Sequence, residues 1–329
     1  MIDYAGISQR TTAYAEVVML RNTEPVIILG KLGQSKPVPK NKSETVKFRR
    51  ARILPPALVP LAEGVTPTPG SFGYDDVQVT LKQWGDLLVI TDKVADLCED
   101  PVLNDMSRES GKQAGATVEQ VTYGVVKAGT SVFYANGVSR AAVNTAISLN
   151  KQRAVTRFLH RNKAKKFTEI LSGSVQLGTM PIEAAYIAVG HTDLDADIRN
   201  MPGFVPVAKY GSRKTVSEHE IGSVEEVRYI LSPDLLPIED AGGAPGSSVL
   251  STGGAQANVY PVLFFGMDAF GTCPLKGKGA ISPTVINPGQ KDKSDPLGQR
   301  GYVGWSAWYN AVRLNELWMA RLEVAATAL

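Results

Sequence analysis

Hydrophobic residues recur at three- and four-residue steps over residues 101–128, and this spacing predicts one long amphipathic helix. Pro101 suits the first turn of such a helix, because its missing N–H would be unpaired there anyway. Three glycines lie inside the segment, and each weakens a helix by about 1 kcal/mol relative to Ala. Packing against other elements must therefore stabilise it. The predicted inward stripe consists of Leu103, Met106, Ala114, Val118, Val121 and Val125.

A second helix is predicted over residues 150–170, with Val155, Leu159, Phe167 and Ile170 facing inward. Residues 151–170 carry seven Lys or Arg against one acidic residue. We interpret its basic side as a charged surface of the folded protein. The basic residues of interest are Lys151, Arg153, Arg157 and Arg161.

Residues 45–93 predict two strands that flank a long loop. Apolar and polar residues alternate over residues 45–52 and 77–91. Five prolines between them exclude a helix or a central strand over residues 53–76. Apolar side chains on a projecting loop are unfavourable in water unless a partner covers them, so this loop predicts self-association. Its apolar residues are Ile53, Leu54, Leu58, Val59, Leu61 and Val65.

The two ends of the chain differ in pattern. Residues 1–44 show little periodicity, and we expect an extended, partly flexible arm that must lie on another surface. Residues 301–326 are rich in Trp and Tyr and predict a terminal hairpin. The middle of the chain predicts short strands between turns, at residues 185–189, 224–231 and 259–264.

Composition indicates a globular protein. The chain has 329 residues, of which 43% are hydrophobic and 20% charged, and its net charge of +3 excludes a nucleic-acid binder that acts through net charge alone. The charges are nevertheless segregated. Residues 1–60 hold ten basic and four acidic residues, whereas residues 61–110 hold three and ten. This segregation favours complementary surfaces within one fold or between copies, and ordinary solvated faces are the alternative.

The sequence points away from secretion and membranes. Two cysteines exclude a disulfide framework and a four-cysteine zinc site, which fits a reducing compartment. The chain does not start like a signal peptide, and no apolar run approaches the ~20 residues that span a bilayer.

No catalytic template is complete. Phosphate-binding loop, nucleophile-elbow and zinc-protease patterns each lack an essential residue, so we expect no catalytic residue, cofactor or metal. Carboxylates that alternate after His191 resemble the start of a calcium loop, but Ile198 replaces its glycine. We expect Thr192 or Asp193 to cap a short helix there instead. The aromatic residues Trp305, Trp308 and Trp318 are expected to pack in the core or at a subunit interface.

Several segments resemble the major capsid proteins of tailed phages, in the N-four-type branch. The most specific are residues 79–97 (VTLKQWGDLLVITDKVADL) with 99–103 (EDPVL), and residues 302–326. Weaker matches follow in the family's order at residues 191–199 with 204–210, and at 220–229. Thr192 departs from the family, where Pro is expected. The resemblance covers about residues 45–329.

The resemblance implies an α+β fold of the Hong Kong 97 type. An N-terminal arm and an extended loop would reach over neighbouring subunits, a peripheral domain would carry a long spine helix, and an axial domain would point to the centre of each capsomer. The expected segments are the arm at 1–44, the extended loop at 45–93, the peripheral domain at 94–180 with the spine helix at 101–128, the axial domain at 181–294, and strands that return to the peripheral domain at 295–329.

The implied function is structural. Subunits of this family assemble as hexamers and pentamers into an icosahedral head that encloses double-stranded DNA. The expected partners are other copies of the chain, portal, scaffolding and decoration proteins, and non-specific DNA, with no membrane. The expected location is the virion, after assembly in the host cytoplasm. Pairing between subunits is favoured over DNA contact for the basic groups Arg49, Arg50, Arg52, Lys151, Arg153, Arg157 and Arg161.

Two other readings stay open. An encapsulin-like shell of a cellular nanocompartment would share the fold but enclose an enzyme cargo. A two-domain enzyme with an unrecognised site is the other alternative.

Overall fold

The structure is a computed structural model of the chain. It describes the backbone of all residues except 1–8, 24–26, 40, 42, 53, 59, 61–62, 65, 67–68, 98–100, 172–178, 212–213, 247, 277–280 and 290–294. The described helices are α1 (Gln9–Thr23), α2 (Leu29–Leu32), α3 (Asp92–Leu97), α4 (Val102–Lys127), α5 (Leu149–Arg161) and α6 (Asp195–Arg199). None of the helices in these ranges combines the length and the apolarity that crossing a membrane requires.

The strands alternate with these helices, which makes the fold α+β as predicted. The first seven are β1 (Gln34–Ser35), β2 (Thr45–Ala51), β3 (Tyr74–Thr80), β4 (Lys82–Thr91), β5 (Val132–Tyr134), β6 (Phe167–Leu171) and β7 (Thr179–Gly190). The others are β8 (Phe204–Pro206), β9 (Glu220–Val224), β10 (Val227–Leu231), β11 (Tyr260–Phe265), β12 (Phe270–Pro274), β13 (Ser282–Ile286), β14 (Arg300–Arg313) and β15 (Met319–Val324).

A five-stranded sheet is built around the long strand β14. One edge of β14 pairs antiparallel with β4, and the other edge pairs with β12 and β13. Helix α4, called the spine helix below, lies across one face of this sheet. There Ala114 and Val118 of the helix pack against Val303 and Trp305 of β14.

The helix predicted over residues 101–128 is confirmed to within one residue at each end. Its buried face is only partly the predicted stripe. Ala114 and Val118 are buried, but Val121 and Val125 are half-buried. A second helix approaches this face closely at Gly111. The other small and polar residues on the buried face include Ser107, Ser110, Glu119 and Thr122.

That second helix is α1, and it corrects the prediction of an extended arm. Ala15 and Met19 of α1 are fully buried in the cluster beneath the spine helix. The hydroxyl of Thr23 donates a hydrogen bond to the carbonyl of Gly111 at 2.9 Å. Periodicity failed to predict the helix because Val17 and Leu20 are apolar but exposed, which blurs the contrast between the buried and the exposed positions. After α1, strand β1 is extended and pairs with β12.

Strands β2 and β3 form an antiparallel hairpin, and its base is anchored on the body of the subunit. Val46, Phe48, Val79 and Leu81 pack there around the buried Cys273. The hairpin ends earlier than predicted, because β4 belongs to the five-stranded sheet. A single residue, Leu81, separates β3 from β4.

An eight-stranded mixed sheet carries the rest of the chain, and both of its faces are buried. Val155 and Leu159 of α5 cover one face, next to Tyr186 and Phe264. The end of the spine helix covers the other face through Tyr123 and Val126. The spine helix therefore joins the two sheets.

Two predicted elements are corrected here. The helix predicted to end at residue 170 ends at Arg161, since Lys163 adopts a positive φ of 53° that a helix does not tolerate. Phe167 is buried as predicted, but in β6. The predicted terminal hairpin is also wrong. The strands β14 and β15 lie in different sheets, because β4, β12 and β13 occupy both edges of β14 and β15 pairs with β11 and β5.

Sheet membership does not follow the predicted boundaries at residues 180 and 294. β5 and β15 join the eight-stranded sheet, although their positions predict the peripheral domain. In contrast, β12 and β13 join the five-stranded sheet, although they lie within the predicted axial segment. The chain crosses between the sheets several times, and local sequence carries no signal of such crossings.

Two glycines of the spine helix should respond oppositely to alanine. A methyl group at Gly111 would lie 2.3 Å from the carbonyl oxygen of Met19, whereas one at Gly124 meets nothing within 4 Å. G111A should therefore destabilise the subunit by about 1–3 kcal/mol through overpacking, and G124A should stabilise it by about 1 kcal/mol through helix propensity. Urea unfolding of unassembled subunits measures both. Equal effects of the two variants would contradict the close packing of α1 on the spine helix.

Candidate assembly surfaces

The distal half of the hairpin projects into solvent. Every described residue from 51 to 72 is exposed. Among the apolar residues predicted for this loop, Leu54 is 57% and Leu58 84% exposed. The rings of Phe72 and Tyr74 stack edge to face at 4.9 Å, and both remain more than half exposed. The other predicted residues, Ile53, Val59, Leu61 and Val65, lie outside the described residues.

A second apolar surface covers one face of the five-stranded sheet. We call this the outer face, because the opposite face packs against the spine helix. Cross-strand register places Val89 opposite Tyr302, and Tyr302 opposite Ile286, so these side chains lie together. Leu87 is 54% exposed, Val89 56% and Trp308 37%. An apolar sheet face of this kind marks a protein interface.

The sequence of β4 itself indicates that the outer face is covered by another molecule. Residues 87–90 read Leu-Leu-Val-Ile without a polar residue. A strand with one solvated face alternates apolar and polar residues, whereas a strand covered on both faces is continuously apolar. In the single subunit Ile90 is buried, but Leu87 and Val89 on the other face are not. The run therefore points to a cover supplied by another molecule.

The three arginines of the hairpin pair with two aspartates of the same hairpin. Arg49 donates two hydrogen bonds to Asp76, at 2.9 and 3.1 Å. Arg52 lies 2.8 Å and Arg50 3.4 Å from the carboxylate of Asp75. The hydrogen bond from Arg52 lowers the pKa of Asp75, and that from Arg49 lowers the pKa of Asp76. Each of these arginines thus has a partner before any neighbour arrives.

The basic residues of α5 divide into paired and open groups. Arg153 donates to Glu225 at 2.9 Å, and Lys151 is half-buried. Arg157 and Arg161 are exposed, one helical turn apart, and form no ion pair within the part of the chain that the structure describes. These two residues form a small positive patch.

The carboxylates after His191 serve structural roles. The Asp193 amide donates to His191 Nδ1 at 3.1 Å, so the predicted cap by Thr192 or Asp193 is wrong. Asp197 accepts bonds from the backbone and hydroxyl of Thr327, at 2.9 and 2.6 Å. The described residues contain no group of three or more His, Cys, Asp or Glu placed to hold a metal ion.

The three C-terminal tryptophans occupy different environments. Trp305 is 5% exposed beneath the spine helix, and its indole donates to Gln113 at 3.2 Å. The indole of Trp318 donates to the carbonyl of Asn162 at 3.1 Å. Trp308 lies on the outer face, where a role at an interface stays a prediction.

The model of a protein family described as phage capsid protein matches residues 74–317, which is most of the chain. The chain belongs to the phage capsid protein family. This membership confirms the resemblance found in the sequence and gives the chain a structural role in a capsid.

Individual relatives are distant in sequence. The major capsid protein of Pseudomonas phage KPP21 is 22% identical over 201 residues, which are 57% of this chain and 51% of that protein. The alignment thus spans about half of the relative. The capsid of Ralstonia phage GP4 shares the fold with a TM-score of 0.65 at 11% identity, over 90% of this chain and 88% of that one. The capsid of cyanophage Pam1 gives 0.59 at 13% identity, over 95% and 94%.

The predicted nanocompartment alternative also has a structural counterpart. An encapsulin from Synechococcus elongatus shares the fold with a TM-score of 0.50 at 11% identity, over 89% of this chain and 86% of that one. Its similarity is lower than that of the two phage capsids, and the family match favours the capsid reading.

A charge exchange tests whether the hairpin arginines act within the subunit. R49D should leave two like charges opposite each other at Asp76 and reduce assembly, because the hairpin would splay. The double variant R49D/D76R restores an opposite pair and should restore assembly. Light scattering of the assembling protein at equal concentration measures both. Failure of the double variant alongside an intact hairpin would indicate that Arg49 pairs with a neighbour instead.

Proposed function

We propose that this chain is the major structural subunit of an icosahedral phage head that encloses double-stranded DNA. Its copies form hexamers and pentamers, and the subunit catalyses no reaction. The supporting observation is a subunit that leaves two apolar surfaces uncovered, the hairpin tip and the outer face. In a closed shell each surface can be covered by another copy.

The connection of the hairpin favours contact between copies. Only Leu81 separates β3 from β4, and the base of the hairpin packs against Cys273 of β12, so the tip extends from a fixed point on the subunit. An extended strand rises about 3.3 Å per residue, which lets the tip near Glu63 reach roughly 50 Å from the hairpin base. We propose that the tip of one subunit covers apolar surface on the next and thereby stabilises the capsomer.

Contacts with DNA would use charge without sequence readout. Arg157 and Arg161 of α5 are exposed and available to phosphates, and such contacts weaken as salt rises. The hairpin arginines are less suited to this role because each already pairs with Asp75 or Asp76. Portal, scaffolding and decoration proteins are the further partners that we propose for a head of this kind, with assembly in the host cytoplasm.

Particle composition separates the alternatives. A phage head and a nanocompartment both elute as particles of megadalton mass, whereas a two-domain enzyme elutes as a small oligomer. Packaged nucleic acid then distinguishes the head from a nanocompartment that holds protein cargo. We propose the head because the family match covers most of the chain.

Shortening the hairpin should stop closed-shell assembly and leave the body folded. The variant replaces residues 53–72 with a short glycine-containing turn, and so spares the anchored base formed by Val46, Phe48, Val79 and Leu81. We expect a native circular dichroism spectrum and no full-size particles in negative-stain micrographs. Full-size particles from this variant would contradict the role given to the hairpin tip.

Charges on the outer face should also oppose assembly. L87E/V89E places two carboxylates where an apolar cover is proposed, and burial of an unpaired charge is costly. We expect the concentration needed for assembly to rise at least tenfold, with little change in the stability of the unassembled subunit.

The control is V138E, which introduces one carboxylate at a side chain that is 92% exposed and lies outside the outer face. Assembly of V138E should resemble wild type in light-scattering titrations. If L87E/V89E assembled as readily as V138E, the outer face would not be an interface.

A further inference from the structure

One edge of strand β4 has no strand beside it. β4 pairs along its whole length with β14, and no other strand pairs with it in the part of the chain that the structure describes. From Leu87 to Thr91 the strand contains neither a charged residue nor a proline, although these are the residues that usually keep an edge from pairing with another chain. The edge therefore offers its backbone groups to a further strand.

The direction of the backbone groups shows which residues of β4 face this free edge. The carbonyl of Trp308 in β14 accepts the amide of Leu275, which follows β12. The backbone of Trp308 thus points away from β4, and the residues on either side of it point towards β4. Their partners in β4 have even numbers, so the odd-numbered residues from 83 to 91 face the free edge. In agreement, the amide of Leu87 donates to the side chain of Asp86 at 2.8 Å.

We propose that β4 pairs antiparallel with β4 of a second copy across a two-fold axis, which places Leu87 opposite Leu87 of the partner subunit. An antiparallel pair of identical strands is self-complementary, as a two-fold contact requires. This register sets odd-numbered residues opposite odd-numbered residues, so the backbone groups of the two free edges meet. The two five-stranded sheets then become one continuous sheet.

Charge favours this register over the neighbouring ones. Lys82 lies opposite Asp92 of the partner subunit, and the contact repeats on the other side of the axis. A centre at residue 86 would instead place Asp86 opposite itself, and like charges in direct opposition are unfavourable. A centre at residue 88 would place Asp92 opposite the indole of Trp84 and leave Lys82 beyond the partner strand.

The pairing also covers apolar surface on both faces of β4. On the face of the spine helix Leu88 is 36% exposed, although Ile90 on the same face is buried. A second strand at the free edge would cover Leu88. On the outer face Val89 would lie opposite Gly85 of the partner subunit, which has no side chain to obstruct it.

Helix α3 follows β4 directly and would meet a groove of the second copy. This groove has a volume of about 640 Å³, lies between Trp84 and the spine helix, and is bordered by Lys82. Since α3 begins at Asp92, the proposed register brings α3 of one copy to the groove of the other. Val94 and Leu97 of α3 are exposed, so this contact would bury two further apolar side chains.

Cysteine cross-linking of the assembled full chain tests the pairing. Opposed residues of a hydrogen-bonded antiparallel pair have Cα atoms about 5.5 Å apart, which a disulfide can bridge. L87C in a C98S background, where the remaining Cys273 is buried, should therefore link two copies on oxidation. V89C is the matched control, because Val89 is similarly exposed on the same face but would lie roughly 13 Å from Val89 of the partner subunit. We expect roughly tenfold more linked dimer from L87C on non-reducing gels.

A charge exchange tests the same register without a cross-link. Lys82 and Asp92 lie about 33 Å apart along one extended strand, so they cannot meet within a subunit. K82D should raise the concentration needed for assembly roughly fivefold. K82D/D92K should restore it, because the opposite charges meet again between copies.

Equal linkage of L87C and V89C, or failure of K82D/D92K to restore assembly, would overturn the pairing. If L87C does not assemble, the charge exchange decides. The pairing rests on the proposed function, because an icosahedral shell joins its subunits across two-fold axes. Particle formation by the wild type tests that function separately, so particles without preferential linkage of L87C would overturn the pairing and leave the shell function standing.

Discussion

The strand β4 imposes the constraint on which the assembly account depends. Its apolar run at residues 87–90 is only partly buried by its own subunit. On the face that packs against the spine helix Ile90 is 4% exposed but Leu88 is 36% exposed. The opposite side leaves Leu87 and Val89 beside Trp308 in water. Since burial of apolar surface is the main favourable term in protein association, this face is stabilised when another subunit covers it.

Anchoring at the base gives the hairpin its reach. Phe48 packs so closely that a methyl group on Gly271 would lie 2.9 Å from its ring. The base is thus held, while the described residues of the proline-rich tip are exposed. The arginine–aspartate pairs of β2 and β3 reduce the charge of the hairpin strands without help from a neighbour. A hairpin that is fixed, nearly neutral and apolar at its tip suits contact with another apolar surface.

Local pattern predicted the elements whose stabilising contacts are repetitive. The spine helix followed from its three- and four-residue spacing. Strand β2 and residues 87–91 of β4 followed from alternation. Contacts between distant segments were not predictable in this way. The arm became helical because Ala15 and Met19 meet Gly111 and Ala114 of the spine helix, about a hundred residues away. Strand β15 left its neighbour β14 because both edges of β14 were already paired.

The candidate surfaces were likewise only partly predictable. The exposed loop residues Leu54 and Leu58 were identified from composition, since proline excludes the elements that would bury them. The partners of Arg49 and Arg52 depend on cross-strand register. The burial of Glu119 depends on the place where the N-terminal segment crosses the spine helix at Leu29. The uninterrupted apolar run at residues 87–90 does indicate, from sequence alone, a strand that is covered on both faces.

Cryo-electron microscopy of particles assembled from the purified chain tests the central claim most directly. We expect closed shells in which density from a neighbouring subunit covers the outer face at Leu87, Val89 and Trp308. Shells in which this face remains in contact with solvent, or a stable compact monomer at concentrations where capsids form, would contradict it.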